Sequence, residues 1–148
     1  MNIHPIFVHF PIALLSIYAI IEILPLKRLL PVVPWNIIRD FLLYVGALSI
    51  LPTVVTGLMA GQIMGASPIL EVHERAAFTT SAIFLITAVL SIVWRKGEES
   101  LTKEITFKVL ALLGFIGLFV TGALGAAMVY GTGNDPIVSL VTWIFGLR

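Results

Sequence analysis

The chain has 148 residues, of which 59% are hydrophobic and 11% are charged, and its formal net charge is +1. A soluble domain carries about 25% charged residues, so this chain cannot cover a globule with polar surface and belongs in a lipid bilayer. The small net charge and the lack of a basic run argue against a nucleic-acid partner. The absence of cysteine excludes disulfides, thiolate metal sites and covalent c-type haem attachment.

Four apolar segments follow one another along the chain, each long enough for the roughly 20 residues that a membrane span requires. They cover residues 6–26, 37–62, 70–94 and 107–130. A fifth apolar segment, 136–147, is too short to span, and Trp143 is typical of the membrane interface. The sequence therefore predicts an all-α fold, with an antiparallel four-helix transmembrane bundle in residues 1–133 and a short interfacial helix in residues 134–148.

The positive charges predict how the bundle is oriented. Seven of the nine Lys and Arg residues flank the first and third connections: Lys27, Arg28, Arg39, Arg95, Lys96, Lys103 and Lys108. The second connection holds only Arg75. By the positive-inside rule the first and third connections face the cytoplasm. We therefore expect a protein of the bacterial inner membrane with both termini facing outward.

The only histidines, His4, His9 and His73, fall at the mouths of the first and third spans, on the same outer side. An ionisable side chain in a membrane is costly, so such residues are functional candidates by default. Imidazole is also a common ligand of haem iron and of other metals. If Pro5 and Pro68 open their helices, His9 and His73 lie at matched depths on different helices.

The second span carries a tandem small-residue ridge, Gly57-x-x-x-Gly61-x-x-x-Gly65. Such a ridge lets another helix, or a flat ligand, approach the backbone closely. Helix packing is the commoner use of this pattern, and ligand binding is the alternative.

The string His4-Pro5-Ile6-Phe7-Val8-His9-Phe10-Pro11-Ile12-Ala13-Leu14 resembles the signature of a family of small bacterial four-helix membrane proteins of unknown function. Members of that family also resemble this chain in two further features. They have a histidine near the start of helix three, here His73, and a glycine-rich end of helix four, here Gly122 to Gly133. Relatives occur fused to Rieske or c-type cytochrome domains. The resemblance covers about the first 133 residues and implies redox work on the outer face.

These observations favour an electron-transfer subunit that binds b-type haem through His9 and His73. Haem needs two axial ligands, an apolar slot and partners for its propionates. Arg75 is a candidate partner for a propionate, and Gly57 and Gly61 are candidates to make room for the macrocycle. His4 is five positions from His9, about 140° around a helix, so it would bond a propionate, join a metal site or lie in the interface.

Two alternatives stay open. The first is a non-catalytic scaffold subunit of a larger membrane complex, whose histidines hold helix ends in place by hydrogen bonds. The second is a membrane metal-binding protein. In the second case, three histidines with Glu71 or Glu74 would suit zinc, copper or iron. The expected partners are the lipid bilayer and a redox protein or larger membrane complex. An electron carrier or accessory subunit is expected rather than a stand-alone enzyme, since the sequence holds no hydrolase or nucleotide-binding motif.

Overall fold

The computed structural model describes residues 3–94, 100–133 and 135–147. These residues form helices and contain no strand; the helices are α1 (His4–Ile23), α2 (Leu26–Leu29), α3 (Trp35–Met64), α4 (Pro68–Trp94), α5 (Leu101–Tyr130) and α6 (Pro136–Ile144). By length and composition α1, α3, α4 and α5 are able to cross a membrane. The predicted all-α fold with four spans and a short C-terminal helix is confirmed.

Two helices begin where a side chain caps the backbone. The Ser100 hydroxyl accepts the N–H of Lys103 at 3.3 Å, so α5 begins at Leu101, six residues before the predicted span. Asp135 Oδ1 accepts the N–H groups of Ile137 and Val138 at 2.8 and 3.0 Å and starts α6. A polar cap before an apolar run therefore fixes the helix start better than hydropathy alone.

The four spans pack as two close pairs. Helix α1 lies along α3, and α4 lies along α5, while the contacts of α1 with α5 and of α3 with α4 are less extensive. Helices α1 and α4 consequently occupy opposite corners of the bundle. A ligand between these two helices would lie in the centre of the protein.

The larger of two buried apolar clusters lies in the middle of the bundle and extends away from the histidines. Leu15, Tyr18, Leu43 and Phe84 are completely or almost completely buried. The Tyr18 and Phe84 rings meet edge to face, with centroids 6.3 Å apart. Such aromatic contacts add to the stabilisation by burial, and they join the α1–α3 pair to the α4–α5 pair.

Two glycines allow this core to close. A Cβ atom on Gly46 would lie 2.6 Å from Leu15 Cδ2, and one on Gly114 would lie 2.6 Å from Phe84 Cζ. Each glycine therefore receives a large side chain from a neighbouring helix. Small residues at helix contacts let membrane helices approach closely, as the sequence predicted for glycine-rich spans.

The end of the bundle opposite the histidines holds a buried ion pair. Glu22 is only 8% exposed, and its Oε2 lies 3.4 Å from Nε of Arg39, which ties the end of α1 to the start of α3. Arg39 also lies 3.4 Å from Asp40 Oδ1. Arg95 and Lys96, which the charge pattern assigns to the same end, lie outside the described residues.

Helix α6 is apolar on both of its faces. Val138, Val141 and Thr142 are buried, and Val141 packs with Ala123 and Leu124 of α5. The outward side chains are also large and apolar: Ile137, Leu140, Trp143, Ile144 and Phe145. Such an outward face suits lipid rather than water.

Candidate functional site

The three histidines meet at one cavity, which we call the histidine cavity. It has a volume of about 440 Å³ and lies between α1, α3, α4 and α5, at the end where α1 and α4 begin. Its polar lining includes His4, His9, His73 and Glu74, and Leu15 and Phe84 of the core are also among its lining residues. The expectation that the histidines share one end of the bundle is confirmed.

His73 projects from α4 towards α5. Its Nδ1 lies 3.1 Å from the carbonyl oxygen of Thr121. A carbonyl only accepts hydrogen bonds, so Nδ1 of His73 carries the proton, and Nε2 of the neutral ring holds the lone pair. The ring lies against Gly125, where a Cβ atom would be 3.4 Å from His73 Cε1.

His4 projects from the first turn of α1 towards α3. Its Nδ1 lies 3.2 Å from Thr56 Oγ1. The Thr56 hydroxyl donates to the backbone carbonyl of Pro52 at 2.8 Å, so its oxygen is left to accept from His4. Nδ1 of His4 therefore donates as well. A Cβ atom on Gly57 would be 3.0 Å from the His4 ring, so this glycine makes room for the imidazole.

His9 is placed differently from the other two histidines. Its Nδ1 donates to the carbonyl of Pro5 within α1, and its side chain is exposed although it lines the histidine cavity. His4 and His73 are each partly buried, and His73 lies within electrostatic range of His4. Both histidines of α1 therefore line the cavity with His73, and His4 is the more buried of the two.

All three histidines share one tautomer when neutral. Each ring uses Nδ1 to donate, to a backbone carbonyl or to a threonine hydroxyl. A histidine that ligates a metal commonly donates its other ring N–H to such a partner, which fixes the orientation of the ring. The arrangement therefore suits Nε2 ligation by these side chains.

Glu74 is the one carboxylate that lines the histidine cavity among the described residues. It is half-buried and extends towards α3, where a Cβ atom on Gly61 would lie 2.9 Å from its Oε1. Gly57 and Gly61, predicted to pack helices or to make room for a flat ligand, thus receive the side chains of His4 and Glu74. Gly65, the third glycine of the ridge, has a positive φ of 76° and ends α3.

Arg75, the predicted propionate partner, does not line the histidine cavity. Its Nη2 lies 2.5 Å from Oε1 of Glu71 one turn earlier, and both side chains are largely exposed. In the described part of the chain, no three His, Cys, Asp or Glu side chains converge on a point where they could hold a metal ion. The structure therefore does not assemble the set of three histidines with Glu71 or Glu74.

The sequence pattern does not point to Thr56 or Thr121. Thr56 is 52 residues from the histidine that it contacts, and Thr121 is 48 residues away. No local spacing relates such distant residues. Glu74 was detectable, because an ionisable residue inside a span is unusual, but its position on α4 gave no sign that it faces Gly61.

The comparisons with known proteins agree with this architecture. The family model described as "Predicted membrane protein (DUF2231)" matches residues 1–135, the whole four-helix bundle and the cap of α6. The searches among curated proteins and among solved structures give no match to this chain. The match therefore supports the membrane fold, and its description names no ligand or reaction.

Proposed function

We propose that this chain, which belongs to the DUF2231 family of predicted membrane proteins, is an electron-transfer subunit that binds b-type haem in the histidine cavity. The observation that carries the proposal is the position of the histidines. His73 on α4 and His4 and His9 on α1 approach one apolar cavity from opposite corners of the bundle. Helix bundles commonly build haem and metal sites from side chains on facing helices.

The cavity meets two requirements of a haem site. Its volume of about 440 Å³ is within the roughly 300–1,000 Å³ that is typical of ligand pockets. Its lining is mainly apolar, and Leu15 and Phe84, which line it, belong to the buried core. A dry, apolar surrounding is one of the means by which a protein sets the potential of haem iron.

Within this proposal His73 and His4 would hold the haem iron. His4 is preferred to His9 because its ring is partly buried beside Gly57 and lies within electrostatic range of His73. Thr56 and the Thr121 carbonyl hold the Nδ1 protons, so Nε2 of each ring is the ligand atom. When bound, haem supplies a one-electron couple, and the protein positions it and excludes water.

The charge distribution supports an outward-facing site in a bacterial inner membrane. Most of the described cations lie at the end away from the histidine cavity: Lys27, Arg28, Arg39, Lys103 and Lys108. The positive-inside rule assigns that end to the cytoplasm. The haem would then exchange electrons with a redox protein or a larger membrane complex on the outer face, as the resemblance to chains fused to Rieske and c-type cytochrome domains implies.

A cysteine-labelling experiment tests this orientation. The chain contains no native cysteine, so single replacements at Ser100 and Thr132 report on opposite ends of the bundle. In intact spheroplasts we expect an impermeant maleimide to label Thr132→Cys and to leave Ser100→Cys unlabelled until the membrane is broken. The opposite pattern would put the histidine cavity on the cytoplasmic side and contradict the proposed outer partner.

A visible spectrum tests the proposed function most directly. We expect protein purified in mild detergent from haem-replete cells to show the α band of reduced low-spin b-type haem after addition of dithionite. The pyridine haemochrome assay should give haem in a whole-number ratio to protein. Protein that stays colourless with all three histidines intact, even after addition of hemin, would overturn the proposal.

A scaffold subunit is the second candidate, and one observation favours it. Each imidazole already makes a hydrogen bond to the protein, which is enough to hold helix ends in place without a ligand. On this alternative the protein binds no haem and co-purifies with other membrane subunits. The spectrum therefore distinguishes the two candidates.

A further inference from the structure

Positive charge is concentrated at the end of the bundle opposite the histidine cavity. The proposed haem site gives these charges no role. Lys27 and Arg28 lie on α2, and Lys103 and Lys108 lie near the start of α5. We call these four residues the basic patch. Lys108 Nζ lies 2.6 Å from Oε1 of Glu104, and Glu104 is within electrostatic range of Lys27 and Arg28. The fold thus brings two connections of the chain to one surface.

The basic patch has a net positive charge. Four positively charged side chains and one carboxylate, that of Glu104, give this surface a formal charge of +3. Arg39 does not add to it, because Glu22 and Asp40 each lie 3.4 Å from its Nε and the three groups together carry a formal charge of −1. The segment 95–99 lies outside the described residues and contains two cations and two carboxylates in its sequence, so its own formal charge is zero.

Exposed apolar side chains border these cations. Leu29, beside Arg28 on α2, is 68% exposed. Leu101 and Ile105, seven and three residues before Lys108 and therefore on its face of α5, are 72% and 51% exposed. Lys103 Nζ donates to the carbonyl of Trp94 at 2.9 Å, which places this ammonium at the end of α4. Cations and apolar surface therefore adjoin each other where the spans end.

We propose that the basic patch binds the headgroup of an anionic phospholipid in the cytoplasmic leaflet, with its acyl chains on the adjoining leucine and isoleucine side chains. A phosphodiester supplies the negative charge that ammonium and guanidinium groups attract, and clusters of Lys and Arg beside membrane spans bind anionic lipids. A soluble anion or an acidic peptide would use the cations but not the apolar border.

Quenching of tryptophan fluorescence by brominated lipid tests the proposal in the full chain. Trp35 and Trp94 lie at the end that carries the basic patch, and the third tryptophan, Trp143 on the outward face of α6, is replaced by phenylalanine in every sample. In detergent micelles we expect brominated phosphatidylglycerol to quench at several-fold lower mole fraction than brominated phosphatidylcholine. The assay needs no haem, so a failure of the haem proposal leaves it unchanged.

Two arginine substitutions provide matched variants, because each removes one positive charge. Arg28→Gln changes the basic patch, and Arg75→Gln changes the histidine end. We expect Arg28→Gln to raise the half-quenching fraction of phosphatidylglycerol about fivefold and Arg75→Gln to leave it unchanged. Equal quenching by the two lipids, or equal effects of the two substitutions, would overturn the proposal.

Inorganic phosphate separates a lipid site from a site for free anions. We expect 10 mM phosphate, at constant ionic strength, not to displace brominated phosphatidylglycerol, because phosphate has no acyl chains to lie on Leu29, Leu101 and Ile105. Displacement by phosphate alone would show that the basic patch takes the anion without the lipid, and would contradict the proposal.

Discussion

Replacement of His73 by alanine is expected to abolish the low-spin haem spectrum. His73 is the only histidine that α4 contributes to the histidine cavity, so no neighbouring imidazole on that helix can replace it. Without one of the two histidines that would hold it, a low-spin haem could not be retained in the cavity. The effect should therefore be all-or-none, measured as haem per protein and as the reduced-minus-oxidised spectrum after purification.

The two histidines of α1 provide the comparison that identifies the second ligand. His4→Ala is expected to remove the low-spin spectrum as His73→Ala does, whereas His9→Ala should retain most of it because His9 is exposed and bonds its own helix. Helical content by circular dichroism should stay unchanged in all three variants. Loss of haem in His9→Ala but not in His4→Ala would favour the pair that sequence spacing alone predicts.

Two alanine substitutions in α5, eight residues apart, are expected to have opposite effects on stability. A Cβ atom on Gly114 would lie 2.6 Å from Cζ of Phe84, a fully buried ring that also contacts Tyr18. Overpacking of this kind costs about 1–3 kcal/mol. Gly122 has no atom within 4 Å of the same position, so Gly122→Ala should only gain the roughly 1 kcal/mol helix preference of alanine over glycine.

The measurement is the unfolding midpoint of each variant in mixed micelles, followed by circular dichroism. Gly114→Ala should unfold well before the parent protein, and Gly122→Ala should unfold at or above it. A parent-like midpoint for Gly114→Ala would mean that Phe84 can move aside, and that the contact between the two helix pairs is looser than the structure indicates.

The spans could be predicted from sequence because hydropathy acts locally. Twenty apolar residues in a row need no information about distant parts of the chain. The prolines at the helix starts likewise place His4 next to Pro5 and His73 five residues after Pro68. The start of α5 was predicted late, at 107, because Lys103, Glu104 and Lys108 lower the hydropathy of its first turns. The Ser100 cap, which fixes that start at Leu101, is a local feature that hydropathy ignores.

The lining of the histidine cavity could not be predicted in the same way. Matched distance from the prolines favoured His9, which lines the cavity together with His4, but depth alone does not show which of the two rings is the more buried. The burial of His4 depends on Gly57 and Thr56, about fifty residues away, which leave room and a hydrogen-bond acceptor for its ring. Arg75 likewise pairs with Glu71 one turn earlier on the exposed side of α4, a position that its distance from Pro68 does not reveal.

The pairing of the spans has a consequence for how the protein is assembled. The α1–α3 pair is complete once the ribosome has made residue 64, and the α4–α5 pair is complete at residue 130. Each pair can insert as a hairpin whose backbone hydrogen bonds are internal to its helices. If the protein binds haem as proposed, with one residue from each hairpin, the haem can bind only after the two hairpins have met. Its insertion would then be the last step of biogenesis and would stabilise the contact between the two halves.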